Sequence, residues 1–202
     1  MRNDLKFTAD WFTKSQYEFV NYIQPIINKL ETVTMLEIGS FEGLSSRWFI
    51  DNFLAAKDSK LYCVDTWHGS DEHKGGSYDL DNLYDRFMYN MSDHLESGKC
   101  ITFRGESKTV LPSLIEDERL FDLIFIDGSH VSADVLIDGV LSYLLLKPGG
   151  MMVFDDYLWG LGDRPYKDIP YPSIEFIKNS FVSTGKMEII QTGVMMTLRK
   201  II

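Results

Sequence analysis

Cysteine is nearly absent: Cys63 and Cys100 are the only two among 202 residues. Each lies within or beside an apolar, strand-like run, and together they form no metal-spaced pair. A disulfide framework and a cysteine-ligated zinc are therefore not expected, and two reduced core thiols in a cytoplasmic protein are. Long apolar runs are also missing. Nothing approaches the roughly 18 residues that a membrane span needs, and the opening MRNDLKFTADWF has no apolar signal-peptide core. Positive charge is scarce, with 20 Lys and Arg against 30 Asp and Glu for a formal charge of −10. The basic residues are scattered, so the footprint that offsets nucleic-acid phosphates is absent and no nucleic-acid partner is expected. No repeat or low-complexity tract interrupts the chain. A small neutral or polyhydroxylated substrate fits this composition best.

What is present alternates. Residues 9–30 carry apolar residues at helical spacing, with Val20, Ile23, Ile27 and Leu30 on one face, and Pro25 predicts a kink or two short helices there. Strand-like runs follow at TVTMLEIG (32–39), KLYCVD (60–65), CITFRG (100–105), FDLIFID (121–127) and GMMVFD (150–155). Helical stretches fall near 44–56, 82–96, 108–116, 132–146 and from about 173 to 181. Strands apolar on both faces, separated by helices, predict a parallel sheet covered on both sides. The end, MEIIQTGVMMTLRK, holds two strand-like runs separated by Thr192 and Gly193, and so short a link joins antiparallel neighbours. The expected fold is α/β: a Rossmann-like, doubly wound, seven-stranded sheet, mostly parallel, with an antiparallel strand from the terminal hairpin. One domain, 1–202, is expected, with a helical segment over 1–31 and the core over 32–202.

At the first strand–helix junction, LEIGSFEGLSSRW places Gly39 and Gly43 where an open parallel sheet binds ligands. Glycine lets the backbone approach a ligand, and the helix N-terminus offers unpaired N–H groups. The second strand ends on Asp65, 22 positions after Gly43, where an acid can accept both hydroxyls of a ribose. An adenosine-containing ligand follows. The spacing is G-x-x-x-G rather than the dinucleotide G-x-G-x-x-G, and Glu37 before the turn suits an ammonium better than a pyrophosphate.

EIGSFEGLS (37–45) resembles the E-x-G-x-x-x-G-x-S of class I S-adenosylmethionine-dependent methyltransferases, closest to small, metal-dependent O-methyltransferases of the catechol or macrolide-sugar type. RGES (104–107), KPGG (147–150) and the terminal hairpin extend the likeness over most of the chain. The resemblance implies that Glu37, Gly39, Ser40 and Gly43 hold the methionine part of S-adenosylmethionine, Asp65 the ribose, and Glu106 with Ser107 the adenine. Trp67 is expected to stack on the adenine or wall the acceptor pocket.

In that fold FIDGSH and VFDDY end the fourth and fifth strands near the transferable methyl. Asp127, Asp155 and Asp156 then meet at one sheet edge, where crowded carboxylates repel unless a hard cation such as Mg²⁺ joins them. The similar enzymes place metal-binding acids there, often with an amide as the last ligand. Adjacent strand side chains point to opposite faces, so Asp155 and Asp156 share an ion only if the strand has already ended. Otherwise Asp127 contacts the cofactor and Asp156 caps a loop.

His130, three residues past Asp127, is the candidate general base. A helix start disfavours imidazolium and keeps the ring able to accept a proton. The bland alternative is a histidine packed at a helix start. His68, His73, Asp71 and Glu72 form either a second metal site or a solvated loop, and Tyr157, Trp159, Tyr166 and Tyr171 suit sugar or phenol rings or simply order their own loop. The expected activity is methyl transfer to a hydroxyl of a small molecule or carbohydrate. A nicotinamide-dependent oxidoreductase and a non-catalytic S-adenosylmethionine-binding protein are the rivals. Trp11 and Phe12 on the first helix suit a lid or a homodimer contact.

Overall fold

The computed structural model describes residues 4–70 and 78–202. Its strands are β1 (Thr34–Ile38), β2 (Lys60–Asp65), β3 (Cys100–Arg104), β4 (Phe121–Ile126), β5 (Leu146–Phe154), β6 (Met187–Thr192) and β7 (Met196–Lys200). They form one sheet in the order β3-β2-β1-β4-β5-β7-β6. The first five run parallel, and β7 lies antiparallel to both β5 and β6. The main helices are α1 (Leu44–Phe53), α2 (Leu83–Asn90), α3 (Ser92–Glu96), α4 (Ser107–Glu116), α5 (Ser132–Leu145) and α6 (Tyr171–Val182). This is the expected doubly wound, mostly parallel sheet, with its single reversed strand supplied by the terminal hairpin.

The pleat sends alternate β1 residues into two cores. Met35 joins Phe19, Phe49, Phe53 and Phe125 on one face, while Leu36 and Ile38 join Leu111, Val135 and Ile174 on the other. Full burial of Phe19, Phe49 and Phe125 contributes about 2–3 kcal/mol of transfer free energy apiece. Glu37, two residues after Met35 and of the same parity, is thereby carried to the α1 face of the sheet.

Two expectations need correction. The N-terminal helical segment is not a simple amphipathic helix: its middle, Phe19–Ile23, is a π turn in which the Gln24 N–H bonds the Phe19 carbonyl. Pro25 would collide with the carbonyl four residues earlier in a regular helix, and the wider turn absorbs that conflict. Widening shifts the phase, so Phe19, Ile23 and Ile27 are buried whereas Val20 and Leu30 are exposed. The fifth strand also begins earlier than Gly150, at Leu146, with a register irregularity opposite Phe121 and Leu123. Lys147 there pairs with Asp122 at 2.8 Å. Among the described residues, no helix is long and apolar enough to cross a membrane.

Strand order reverses between β1 and β4, which opens a crevice at their carboxyl ends. The ladder continues one residue beyond the strands: Gly39 N–H bonds Val64 O at 2.9 Å, Asp127 N–H bonds Ile38 O at 2.8 Å, and Asp155 N–H bonds Ile126 O at 3.0 Å. Gly39, Asp127 and Asp155 therefore stand in a row on the sheet edge.

Candidate active site

Above that row lies a cavity of about 900 Å³, walled by the turn after β1, the ends of β2, β4 and β5, and the starts of α4 and α5. Its floor depends on Gly39. At φ +87° a Cβ would sit 2.1 Å from the Asp127 carbonyl oxygen, so only glycine lets the β1 and β4 ends approach this closely. Gly43, at φ +84°, caps α1, and its N–H closes the turn on Ser40 O at 2.8 Å.

Asp65 braces the same turn. One carboxylate oxygen accepts the Ser40 and Phe41 N–H groups at 2.8 Å, and the other accepts the Trp67 N–H at 2.6 Å. The side chain also lines the cavity, as do Gly39, Ser40, Glu106, Ser107, Asp127 and His130. Glu37 is placed differently from the expectation. It is fully buried, and its carboxylate accepts hydroxyl bonds from Ser40 at 2.8 Å, Ser45 at 2.6 Å and Ser46. Burial raises its pKa against those bonds. Glu37 thus meets the cavity through Ser40 and Ser45 rather than directly. Trp67 is a second correction: at φ +51° its ring turns into the core against Tyr84 and Phe87, with the indole N–H on Phe41 O at 2.9 Å. It supports the turn from below and does not wall the cavity.

Asp127, Asp155 and Asp156 come together, with one carboxylate oxygen from each all within 4.8 Å of one another. The backbone removes the objection of opposite faces. Strand β5 stops at Phe154, and Asp156 takes the left-handed φ of +54°, which swings its side chain back to the edge held by Asp155. Crowding of the three carboxylates is visible in the electrostatics. Burial first, then Asp155 and Asp156, drives the Asp127 carboxyl well above its ordinary range. Burial and Asp156 push Asp155 up to about 7, with Lys14 acting in the opposite direction. Asp155 Oδ1 is buried with no hydrogen-bond partner among the described residues. Three hard oxygen donors, one of them unsatisfied, fit a divalent cation such as Mg²⁺ or Ca²⁺.

His130 belongs to the same group. Its Nε2 lies 2.9 Å from Asp156 Oδ2, and its ring packs against Trp159 with centroids 4.1 Å apart. Arg164 covers Trp159 with its guanidinium carbon 4.4 Å from the ring centroid. Trp159 and Arg164 line the cavity, whereas Tyr157 and Tyr171 stack on each other and Tyr166 is exposed. His68 is exposed, and His73, Asp71 and Glu72 lie outside the described residues.

Sequence reasoning missed Glu42 and Asp138. Glu42 is buried between segments far apart in the chain, accepting Thr8 N–H at 2.6 Å, Thr8 Oγ1 at 2.7 Å and Arg86 Nε at 2.9 Å. This pins the N-terminal segment so that Trp11 packs on Phe41 at the cavity mouth, centroids 4.9 Å apart. No spacing rule marks such a hub. Asp138 is buried in α5 and borders the cavity beside Ser107; its one sequence signal was an acid inside an apolar helix.

Comparison with known families settles the wider identity. The family model described as "Methyltransferase domain" matches residues 36–157, which runs from β1 through the carboxylate cluster. The chain belongs to the methyltransferase-domain family. The resemblance to class I S-adenosylmethionine-dependent methyltransferases is thereby borne out, and solved methyltransferase structures share the fold. An O-methyltransferase from Bacillus cereus in complex with SAH has 16% identity and a TM-score of 0.67, over 93% of this chain and 82% of that one. The O-methyltransferase TomG from Streptomyces achromogenes, of tomaymycin synthesis, has 17% identity and a TM-score of 0.62, over 94% and 86%. MycE, a methyltransferase of mycinamycin biosynthesis in complex with Mg and SAH, has 18% identity and a TM-score of 0.60. That match covers 96% of this chain and 51% of the longer MycE chain. None of the curated proteins compared matches in sequence.

Proposed function

We propose that this methyltransferase moves the methyl group of S-adenosylmethionine to a hydroxyl of a small molecule or sugar, in a metal-assisted reaction with His130 as general base. One observation carries the reading: the carboxylate cluster and His130 share a cavity with the glycine turn and Asp65. The donor supplies a methyl already activated on a sulfonium. Ser40 and the turn face its methionine end, Asp65 its ribose, and Ser107 its adenine. A divalent cation held by Asp127, Asp155 and Asp156 would supply a Lewis-acid site that lowers the pKa of an acceptor hydroxyl. Asp156 orients the His130 ring, which takes the hydroxyl proton. Trp159 offers a flat apolar face to a sugar or phenol ring, and positioning supplies much of the rate. The neighbours named for antibiotic pathways support a small acceptor, and the paired free thiols suit a reducing cytoplasm.

The test is transfer of radiolabelled methyl to a panel of sugars and catechols, with Mg²⁺ or with EDTA. Turnover should require the cation, and His130→Asn should lower kcat by about 10²–10⁴ with donor affinity retained. Undiminished turnover in EDTA would remove the metal from the reaction. Binding of NAD⁺ in place of S-adenosylmethionine would overturn the donor assignment.

A further inference from the structure

Arg164 is the cation in the cavity that the proposed chemistry leaves unused. The chain carries 30 acidic residues against 20 Lys and Arg, so most of its guanidinium groups find a carboxylate. Arg47 pairs with Asp93, Arg86 with Glu42 and Asp79, Arg119 with Asp117, and Arg199 with Glu188. Lys108, also on the cavity wall, is taken by Glu106 at 3.0 Å. Arg164 lines the same cavity, yet among the described residues its charge has no ion pair and rests only on the Trp159 ring, 4.4 Å from the guanidinium carbon. Stacking uses the face of a guanidinium and leaves the N–H donors at its edge free. Trp159 also packs on His130, centroids 4.1 Å apart, so those donors stand one indole away from the proposed base. Lys14 lines the cavity too, and its charge opposes the crowding at Asp127 and Asp155. A divalent cation there leaves one carboxylate charge over, which Lys14 offsets. Among the described residues nothing offsets Arg164: Asp168 shares the wall but forms no ion pair with it.

We propose that Arg164 selects the acceptor: a ring that carries a carboxylate as well as the hydroxyl to be methylated, as in an aromatic hydroxy acid or a uronic acid. This rests on the O-methylation reading above and narrows its substrate to an acid rather than the neutral compound that composition alone suggests. The edge of a guanidinium binds a carboxylate through two parallel hydrogen bonds, which fix orientation as well as position. With the acid held at Arg164, a hydroxyl on the same ring comes to His130 and the carboxylate cluster. The net negative charge of the chain does not forbid an anion, since at physiological ionic strength solvent screens exposed charges beyond about 8 Å. An acceptor without the acid leaves the guanidinium unpaired and gains nothing from it.

Two pairs of acceptors that differ chiefly in charge test this: 3,4-dihydroxybenzoate with its methyl ester, and glucuronate with its methyl ester. Transfer of radiolabelled methyl, with Mg²⁺ present, gives kcat/KM for each in the wild type, in Arg164→Gln and in Arg164→Lys. The wild type should favour at least one acid over its ester by about tenfold or more, as a site built to bond a ligand group rejects the analogue lacking it. The pair that shows the preference distinguishes an aromatic acceptor from a sugar. Arg164→Gln should bring that ratio within about threefold, with the loss falling mainly on KM for the acid. Arg164→Lys keeps the charge without the fork and should lie between the two. A merely structural effect, passed through Trp159 to His130, would slow acid and ester alike, so an unchanged ratio in Arg164→Gln would overturn the proposal. Equal use of acid and ester by the wild type, a preference for the esters, or no methylation of either acid while S-adenosylhomocysteine still binds would also overturn it and leave the donor assignment standing. Failure of the wild type to bind S-adenosylhomocysteine at all would overturn both.

Discussion

Replacing Asp155 by asparagine should make the metal-free protein more stable, and the gain should depend on pH. The carboxyl lies at 7 % exposure beside Asp127 and Asp156, and its pKa rises from an ordinary 3.8 to about 7. Below pH 4 the group is protonated in both folded and unfolded chains and costs nothing. Between pH 4 and 7 the unfolded chain ionises first, so stability falls through that window and levels off above it. A gap of this size corresponds to about 4 kcal/mol. Because Asp127 shares the repulsion, about 2 kcal/mol is the smaller gain to expect for Asp155→Asn at pH 8. Denaturant unfolding of EDTA-dialysed protein at pH 4.5 and pH 8 measures this directly. The variant should exceed the wild type at pH 8 and nearly match it at pH 4.5, and Mg²⁺ should stabilise the wild type far more than the variant. An equal difference at both pH values would refute the electrostatic reasoning, since a packing or hydrogen-bond effect does not titrate.

Two further perturbations follow from the geometry. Gly39→Ala forces a Cβ to 2.1 Å from a backbone oxygen at a positive φ, so a loss of more than about 3 kcal/mol in thermal unfolding is expected, together with weaker donor binding; near-wild-type stability would mean that the strand ends part easily. Glu42→Ala removes the partner of Thr8 and one of the two carboxylates on Arg86, which keeps Asp79 at 3.0 Å, and should cost about 1–3 kcal/mol and expose residues 4–12 to limited proteolysis, whereas an unchanged cleavage pattern would show that the segment is held by its other contacts, the Lys6–Asn90 bonds among them.

The sheet was legible because its continuous apolar runs and intervening helices leave few topologies, and the glycines, Asp65 and the strand-end acids are tied to positions that any such sheet presents at its carboxyl edge. What escaped depended on backbone detail. The π turn before Pro25 moved the buried face from Val20 to Phe19, a phase change that no periodicity argument contains. Trp67 followed Asp65 closely enough to look like a cavity wall, yet its positive φ turned it into the core. Glu37 read as a direct ligand group because three serine hydroxyls, two of them from α1, converge on it only in three dimensions. Glu42 and Asp138 are meaningful only through partners contributed by distant segments.

The left-handed backbone at Asp156 has a consequence for how this site can change over time. Outside glycine, the residues that tolerate that conformation at small cost are chiefly asparagine and aspartate. Both carry a side-chain oxygen at the same distance from the chain. Substitutions that leave the turn undisturbed therefore tend to leave an oxygen donor at the cluster's edge, with or without its charge. The local geometry filters mutations before the chemistry is tested, so the position can drift between a charged and a neutral oxygen while losing the oxygen altogether meets a conformational penalty first.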